Sequence, residues 1–485
     1  MLHDTTKARS AQVRWISGYV FSVRRGGCAA QAVDLSAESP KDAASPRAPA
    51  GAGIIDTLQR KSLSLPMENI LAILLAGGAG ERLSPLTLNT AKPAVPFGGI
   101  YRLIDFTLSN CISSGVRRIL VLTQYKALEL TRHIRDGWMI LSPELGEYIE
   151  IIPPMKRVHE DWYLGTADAV FQNIQTLMAE GPEHCLILAA DHIYKMNYHE
   201  MVAWHEHHKA DITLGTIQVP PEEATRLGVV DIGDNYEIRG FEEKPQHGNP
   251  VRSVFNPATV SASMGVYVFN TEVMMRALME DAEDPNSSHD FGRDVIPRCI
   301  PKKRVVAYDF IDLNDKTVKY WRDVGTIDAY YDANMDLVSV VPEFNLYDRR
   351  WPIRTTMPQM PPAKFVFAQE GRRMGVAIDS IVSGGCIVSG GRVVRSILSP
   401  GVRINSYCEV ESSILMHNAE VGRYSRIRRA IIGPDVKIPE SSVIGYDLQA
   451  DRAQGHTVTD SGIVVVCQEQ QIYTGLEPYT IKQAG

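Results

Sequence analysis

The chain of 485 residues is 44% hydrophobic and 22% charged, with a formal charge of −7. This composition excludes a disordered, collagenous or fibrous protein and offers no overall basic field for nucleic acid. No apolar run reaches the roughly 18–20 residues a membrane-spanning helix needs, the longest being the strand-sized 70–76. Seven cysteines (Cys28, Cys111, Cys185, Cys299, Cys386, Cys408, Cys467) lie far apart, without a CxxC pair or His/Cys at zinc spacing. They point to a reducing, cytoplasmic setting without disulfides or structural zinc.

Residues 1–66 stand apart from the rest, being rich in Ala, Ser, Pro and Gly, with nine Lys/Arg against five Asp/Glu, which leaves −11 on the remainder. No apolar stretch followed by a small-residue cleavage site occurs there, and Met67 opens almost directly onto a strand. This extension is expected to be disordered or to precede a true start at Met67. From residue 70, strand-length apolar runs at 70–76, 119–123, 185–190, 212–218 and 264–269 alternate with helical patterns at 107–114, 166–178 and 198–209. Such alternation predicts an α/β domain over 67–340 with a mostly parallel sheet covered on both faces, binding ligands at the carboxyl ends of its strands. A linker is expected over 341–364, where Trp351-Pro352 and Met360-Pro361-Pro362 fall.

Over 365–485 the helical period gives way to aliphatic residues six apart in sets of three: Val382, Val388, Val394; Leu398, Ile404, Val410; Leu415, Val421, Ile427; Ile432, Ile438, Ile444. The sets recur every 16 or 17 residues with Gly, Ser, Asn and Pro between them. One aliphatic residue per short strand and three strands per turn describe a triangular parallel β-helix, whereas hairpins would show period two.

The first strand runs into Gly77-Gly78-Ala79-Gly80-Glu81-Arg82-Leu83. Closely spaced glycines let backbone N–H groups close on an anion, so this loop can cradle phosphates, although it is neither a P-loop nor a clean GxGxxG. Lys92-Pro93 follows, supplying a fixed charge on a backbone that proline keeps extended. Asp191 ends the strand at 185–190 and Asp323 lies in Trp321-Arg322-Asp323. Both suit a hard cation, and both also admit plainer readings, a helix cap and an ion pair with Arg322. The His-rich Trp204-His205-Glu206-His207-His208 reads as an exposed polar face, because neighbouring residues on a helix point apart.

Leu75-Ala76-Gly77-Gly78-x-Gly80-x-Arg82-Leu83 with Lys92-Pro93 resembles the signature of the sugar nucleotidyltransferases. Tyr101-Arg102-Leu103-Ile104-Asp105-Phe106, Trp162-Tyr163-Leu164-Gly165-Thr166-Ala167-Asp168, Asp191-His192-Ile193-Tyr194-Lys195, Phe241-Glu242-Glu243-Lys244-Pro245, Ser288-His289-Asp290-Phe291-Gly292 and Trp321-Arg322-Asp323-Val324-Gly325-Thr326 narrow it. In that order, from about 70 to about 466, they resemble the bacterial glucose-1-phosphate adenylyltransferase family.

The resemblance implies a Rossmann-like nucleotidyltransferase domain followed by a left-handed β-helix, usually in a homotetramer. It further implies the synthesis of ADP-glucose and pyrophosphate from ATP and glucose 1-phosphate for glycogen biosynthesis, with Mg²⁺ as cofactor and small metabolites as allosteric effectors. Carried over residue by residue, it assigns Asp191 and Asp323 to the metal, and Arg82, Lys92 and Asp191 to catalysis at the phosphates. ATP binding falls to Gly77, Gly78, Gly80, Arg82, Gln124 and Gly165, Gln124 being able to read donor and acceptor edges of adenine. Glucose 1-phosphate falls to Tyr163, Gly228, Glu243, Lys244, Ser263 and Tyr267, and effector binding to Arg102 and Arg403.

Two departures stand out. Members that respond to fructose bisphosphate carry basic residues where this chain has Asn89 and Thr90, and often a His where it has Pro96, so weak activation by that effector is expected. Ala190 also occupies a position where Gly is common. Three rival readings are a transferase for another nucleotide, which would lack the 288–292 and 321–326 segments, a non-catalytic regulatory subunit, which would lose Asp191, Asp323 or the loop cations, and an acyltransferase on the β-helix, for which only His417 is available.

Overall fold

A computed structural model describes residues 67–467 apart from 79, 155–162, 247–249, 313–316 and 370–372. The expectations for 1–66, for Trp162 and for the chain beyond 467 lie outside these residues. The α/β half is built on β1 (Ile70–Ala76), β2 (Arg118–Thr123), β3 (Tyr148–Ile152) and β4 (His184–Ala189), in spatial order β3-β2-β1-β4, all parallel. Apolar residues along β1 are divided by the pleat: Ala72 and Leu74 enter the core on one face, Leu71 and Ile73 the core on the other. Each such fully buried Leu or Ile contributes about 1.5–3 kcal/mol.

Beyond β4 the sheet departs from the expected parallel pattern. After the short β5 (His192–Tyr194) come β6 (Ile212–Val219), β7 (Gly228–Ile232), β8 (Ile238–Glu243) and β9 (Val260–Asn270), then β10 (Val305–Asp309) and the short β11 (Trp321–Asp323). Strand β9 runs antiparallel to β4, β6 and β7, and only β10 on β6 returns to a parallel pair. The sheet is therefore mixed. Strands β7 and β8 form a tight antiparallel pair, with five residues between them, instead of being joined by a helical crossover.

Helix α1 (Leu103–Ser113) begins at Arg102, whose N–H donates to the Asp105 carboxylate at 2.8 Å. The same buried carboxylate meets His133 at 2.6 Å and Trp138 Nε1 at 2.9 Å, tying α1 to α2 (Leu128–Gly137) and the residue after it. The helix expected over 166–178 is broken into α3 (Thr166–Phe171) and α4 (Ile174–Glu180). The cause is buried Asn173, whose side-chain amide donates to the Ala169 carbonyl and to Tyr163 Oη, taking an acceptor that continued helix would use. Helix α5 (Tyr198–His207) turns His205 inward, 1% exposed, against Thr213 and Asn270. The exposed polar face expected there is thus wrong for this residue. Among the described residues no cluster of three His, Cys, Asp or Glu could hold a metal.

The β-helix winds as three parallel sheets whose aliphatic ladders follow the sequence period: Val382, Leu398, Leu415, Ile432 and Val466 on one face; Val388, Ile404, Val421 and Ile438 on the next. On the third face the ladder is Val393, Val410, Ile427 and Ile444, so the inward residue is Val393 where Val394 was expected. The first coil is one residue shorter there, turning at Gly390-Gly391, where a Cβ on Gly391 would stand 2.7 Å from Ile404. Corners repeat too: Arg395, Ser412 and Arg429 on one edge and Tyr407, Tyr424 and Ser441 on another all have positive φ.

The two halves share a hydrophobic core. Helix α6 (Thr271–Ala282) belongs to the α/β half alone, but α7 (Ile327–Asp336) lays Ile327, Tyr330 and Tyr331 in the cluster that holds Ile397, Ile414, Ile431 and Val465 of the β-helix. The connecting segment is tied down as well: Trp351 Nε1 donates to Asn110 at 2.8 Å, and the Arg354 N–H to Ser109 at 2.8 Å.

Candidate active site

The carboxyl ends of β1, β2 and β4 open onto a cavity of about 510 Å³. Its lining brings together Gly77, Gly78, Gln124, Tyr163, Gly165, Asp191, Glu243, Lys244 and Tyr267 from the sequence-expected set. Gly80 turns the loop in the left-handed conformation (φ 67°), and its carbonyl accepts from Thr87 Oγ1 at 2.8 Å. A Cβ on Gly80 would stand 3.1 Å from Cβ of Lys92, so the glycine loop and Lys92 are packed as one unit.

Lys92 is the electrostatic centre. Its ammonium lies 2.7 Å from Asp191 and 3.5 Å from Asp323, which reach it from the end of β4 and from β11. Strand β11 pairs with β5 so that Asp323 stands opposite His192, which places the two carboxylates side by side. Burial pushes the Asp191 carboxyl up, but Lys92, His192 and hydrogen bonds from Lys92 and the backbone outweigh it and hold the group at about 2. Burial acts to lower the Lys92 ammonium, and the two aspartates outweigh that effect and raise it. Arg82 completes the group: a Cβ on Gly325 would lie 3.2 Å from its guanidinium and 3.0 Å from Asp323.

At one end of the cavity Gln124 lies across Gly77, its Nε2 donating to the Tyr163 carbonyl at 3.2 Å, which leaves its oxygen and a second N–H for a ligand. At the other end Glu243 and Lys244 form a 2.6 Å pair. Gly228 pairs with Glu243 across β7 and β8, and a Cβ there would stand 2.9 Å from the Glu243 carboxylate, so Gly228 makes room for it. Ser263 sits behind the wall and meets Tyr267 Oη at 3.2 Å, and burial pushes the Tyr267 phenol up.

Arg102 and Arg403 are elsewhere and do not join this cavity. The Arg102 guanidinium donates to the Ala94 carbonyl, whereas Arg403 answers to Asn405 at 3.2 Å and Glu420 at 3.7 Å on the β-helix.

Among the lining residues that sequence reasoning left without a role are Thr166, His192, Asp290 and Phe291. The Asp290 carboxylate accepts from Thr166 Oγ1 at 2.9 Å and from the N–H groups of Gly292 and Arg293. His192 stands 3.6 Å from Asp191 and 3.9 Å from Asp323, with Nδ1 buried and unpartnered among the described residues. The available signal was the Ser288–Gly292 and Asp191-His192 segments themselves, which carried resemblance without an assigned role.

The glycine loop, the lysine between two carboxylates and the β-helix that shares their half's core lie in a chain whose two family matches make it a nucleotidyltransferase with a hexapeptide-repeat domain. The nucleotidyl transferase family matches residues 71–340, and the family described as GlmU-like, C-terminal hexapeptide, matches 361–466. The glucose-1-phosphate adenylyltransferase of Koribacter versatilis is 59% identical over 84% of this chain and 97% of its own length. Those of Rhodopirellula baltica and Methylobacillus flagellatus are 53% and 51% identical, over 84% and 82% of this chain and 91% and 93% of theirs. The chain belongs to the glucose-1-phosphate adenylyltransferase family.

Proposed function

We propose that this enzyme transfers the adenylyl group of ATP to glucose 1-phosphate, giving ADP-glucose and pyrophosphate. The observation that carries the reading is the Lys92 ammonium held between Asp191 and Asp323 beside the glycine loop, with Gln124 at one end of the cavity and Glu243–Lys244 at the other. An oxygen of the sugar phosphate attacks the α-phosphorus, the bond from that phosphorus to the bridging oxygen breaks, and pyrophosphate leaves with the electron pair. Two unit charges 4 Å apart repel by about 4 kcal/mol at an effective dielectric of 20. Two multiply charged phosphates therefore need fixed cations. Lys92 and Arg82 answer the departing pyrophosphate, where negative charge grows, and Lys244 answers the sugar phosphate.

The donor set fits Mg²⁺, which takes one or two carboxylates and completes its shell with water and phosphate oxygens. Asp191 and Asp323 would hold it, and it would neutralise charge at the reacting phosphates. Asp191, ionised from about pH 2 upward, is in the state a metal requires. The family resemblance adds a cytoplasmic homotetramer feeding glycogen synthesis.

Regulation by fructose bisphosphate is expected to be weak. Asn89, Thr90 and Pro96 offer no charge, while Arg102 and the exposed Arg403 keep basic positions for a different effector. Strong saturable activation by fructose bisphosphate would refute this point.

The test is pyrophosphate release with glucose 1-phosphate, Mg²⁺ and each of ATP, UTP, dTTP and GTP, beside an Asp191→Ala control. Release with ATP alone, lost in the control, is the expected result. Equal release with another nucleotide would break the adenine assignment at Gln124.

A further inference from the structure

We propose that Asp281 and His289 form a positioning pair that fixes the sugar-phosphate wall of the cavity, an inference that rests on the adenylyl transfer argued above. Neither residue lines the cavity. Asp281, in the last turn of α6, is 3% exposed, and its carboxylate is fully engaged. One oxygen accepts from Ser287 Oγ at 2.6 Å and from Arg298 at 3.2 Å, and the other meets His289 Nδ1 at 2.8 Å. Ser287 Oγ in turn accepts the His289 N–H at 3.0 Å. The carboxylate therefore grips both the ring and, through Ser287, the backbone of one residue.

That residue is held in an unusual conformation. His289 has φ 54°, a region non-glycine residues occupy sparingly. The consequence is the direction of its carbonyl, which accepts from the N–H of Ala167 at 2.8 Å and of Asp168 at 3.4 Å. Helix α3 has no side-chain cap at Gly165, so the His289 carbonyl serves as its cap. The approach is so close that a Cβ on Gly165 would stand 2.2 Å from that oxygen.

The next residues carry the effect into the site. Asp290 accepts from Thr166 Oγ1, and Thr166 Oγ1 accepts the Phe291 N–H at 3.0 Å. A Cβ on Gly292 would stand 2.9 Å from the Glu243 carboxylate, so this loop is the surface against which Glu243, and with it Lys244, is set. Asp281 touches no part of the cavity, yet it fixes the backbone that backs the Glu243–Lys244 pair.

The test compares wild type, Asp281→Asn, His289→Asn and the double variant by steady-state kinetics and thermal melting. Asparagine keeps a side chain of similar reach at 281 and tolerates positive φ at 289, so both variants should fold. Each single variant is expected to raise KM for glucose 1-phosphate about tenfold or more and KM for ATP by clearly less, since small misplacements at a reacting centre are felt strongly. The double variant should be no worse than the worse single, because the two residues act as one unit. Unchanged KM for glucose 1-phosphate in an active, folded variant would overturn the pair's role. So would a fall in apparent kcat in step with the folded fraction, with both KM values unchanged. Wild-type protein inactive with ATP and glucose 1-phosphate would instead overturn the functional reading, and this proposal with it.

Discussion

Lys92 shows how one side chain can set the charge state of a site. Its removal in Lys92→Met takes from two close carboxylates the cation that pairs with both, and kcat/KM is expected to fall about 100-fold or more. Asp191 would then lose the partner that does most to hold it at about 2, and burial would raise it against only His192 and the backbone hydrogen bond. The sign follows: the folded value lies below the unfolded value of about 3.9, so the ionised pair is intact above that pH and is lost only as pH falls through about 2. Wild-type activity should therefore show no acid limb from Asp191 above about pH 4, whereas the residual activity of Lys92→Met should show one displaced upward by about a unit or more. Identical limbs in the two pH–rate profiles would contradict this account. The sequence displayed each of these residues but not their meeting, because the contacts of Lys92 with Asp191 and Asp323 join segments far apart in the chain. Thr166, His192 and Asp290 escaped for the same reason: nothing local says which motif residue faces the cavity.

At the scale of elements, two features answer to particular atoms. The close passage of α3 beneath the 288–289 carbonyls predicts that Gly165→Ala displaces one or the other. Its Cβ would stand 2.2 Å from an oxygen, so activity should fall about tenfold or more while β1 and β4 stay folded, as hydrogen exchange can show. Helix α5 carries a titration. Burial holds His205 at about 4, against an unfolded value of about 6.5, so the unfolded chain takes up the proton first and stability declines as pH falls from about 6.5 towards 4. The decline amounts to about 3 kcal/mol at most. His205→Gln should flatten the fall of the urea midpoint over that range, and an unaltered slope would show that other groups dominate. Elements with a local period were the legible ones: the hexad spacing of the β-helix predicted two ladders residue for residue. It slipped to Val394 only where Gly390-Gly391 shortens the coil. The break at Gln172-Asn173 was hidden because Asn173 answers to Tyr163, a tertiary partner. The antiparallel half of the sheet was hidden because strand order is set by packing between distant segments.

For the molecule as a whole, the shared core means that the α/β half is not self-sufficient. Ile327, Tyr330 and Tyr331 are buried partly by Ile397, Ile414 and Ile431. A fragment of residues 67–340 would expose them, and it is expected to lack a cooperative thermal transition, as calorimetry can test. Ile414→Ala in the full chain should cost about 2–5 kcal/mol. Its effect should reach both halves together, giving one transition that moves instead of two that separate. The catalytic cavity thus draws its rigidity from a domain that supplies none of the residues lining it.

The repeating corners of the β-helix carry a consequence for how such a chain can vary over generations. Left-handed residues at 395, 412 and 429, and at 407, 424 and 441, recur every 17 positions, and each ladder residue sits above its counterpart in the coil before. Removing or adding a few residues within a coil would rotate every later side chain off its column, turning apolar groups to solvent, unless a glycine corner absorbs the change as Gly390-Gly391 does. A whole coil can be gained or lost with all columns in step. Length in this half of the protein is therefore quantised, and its inheritance proceeds by the turn and not by the residue.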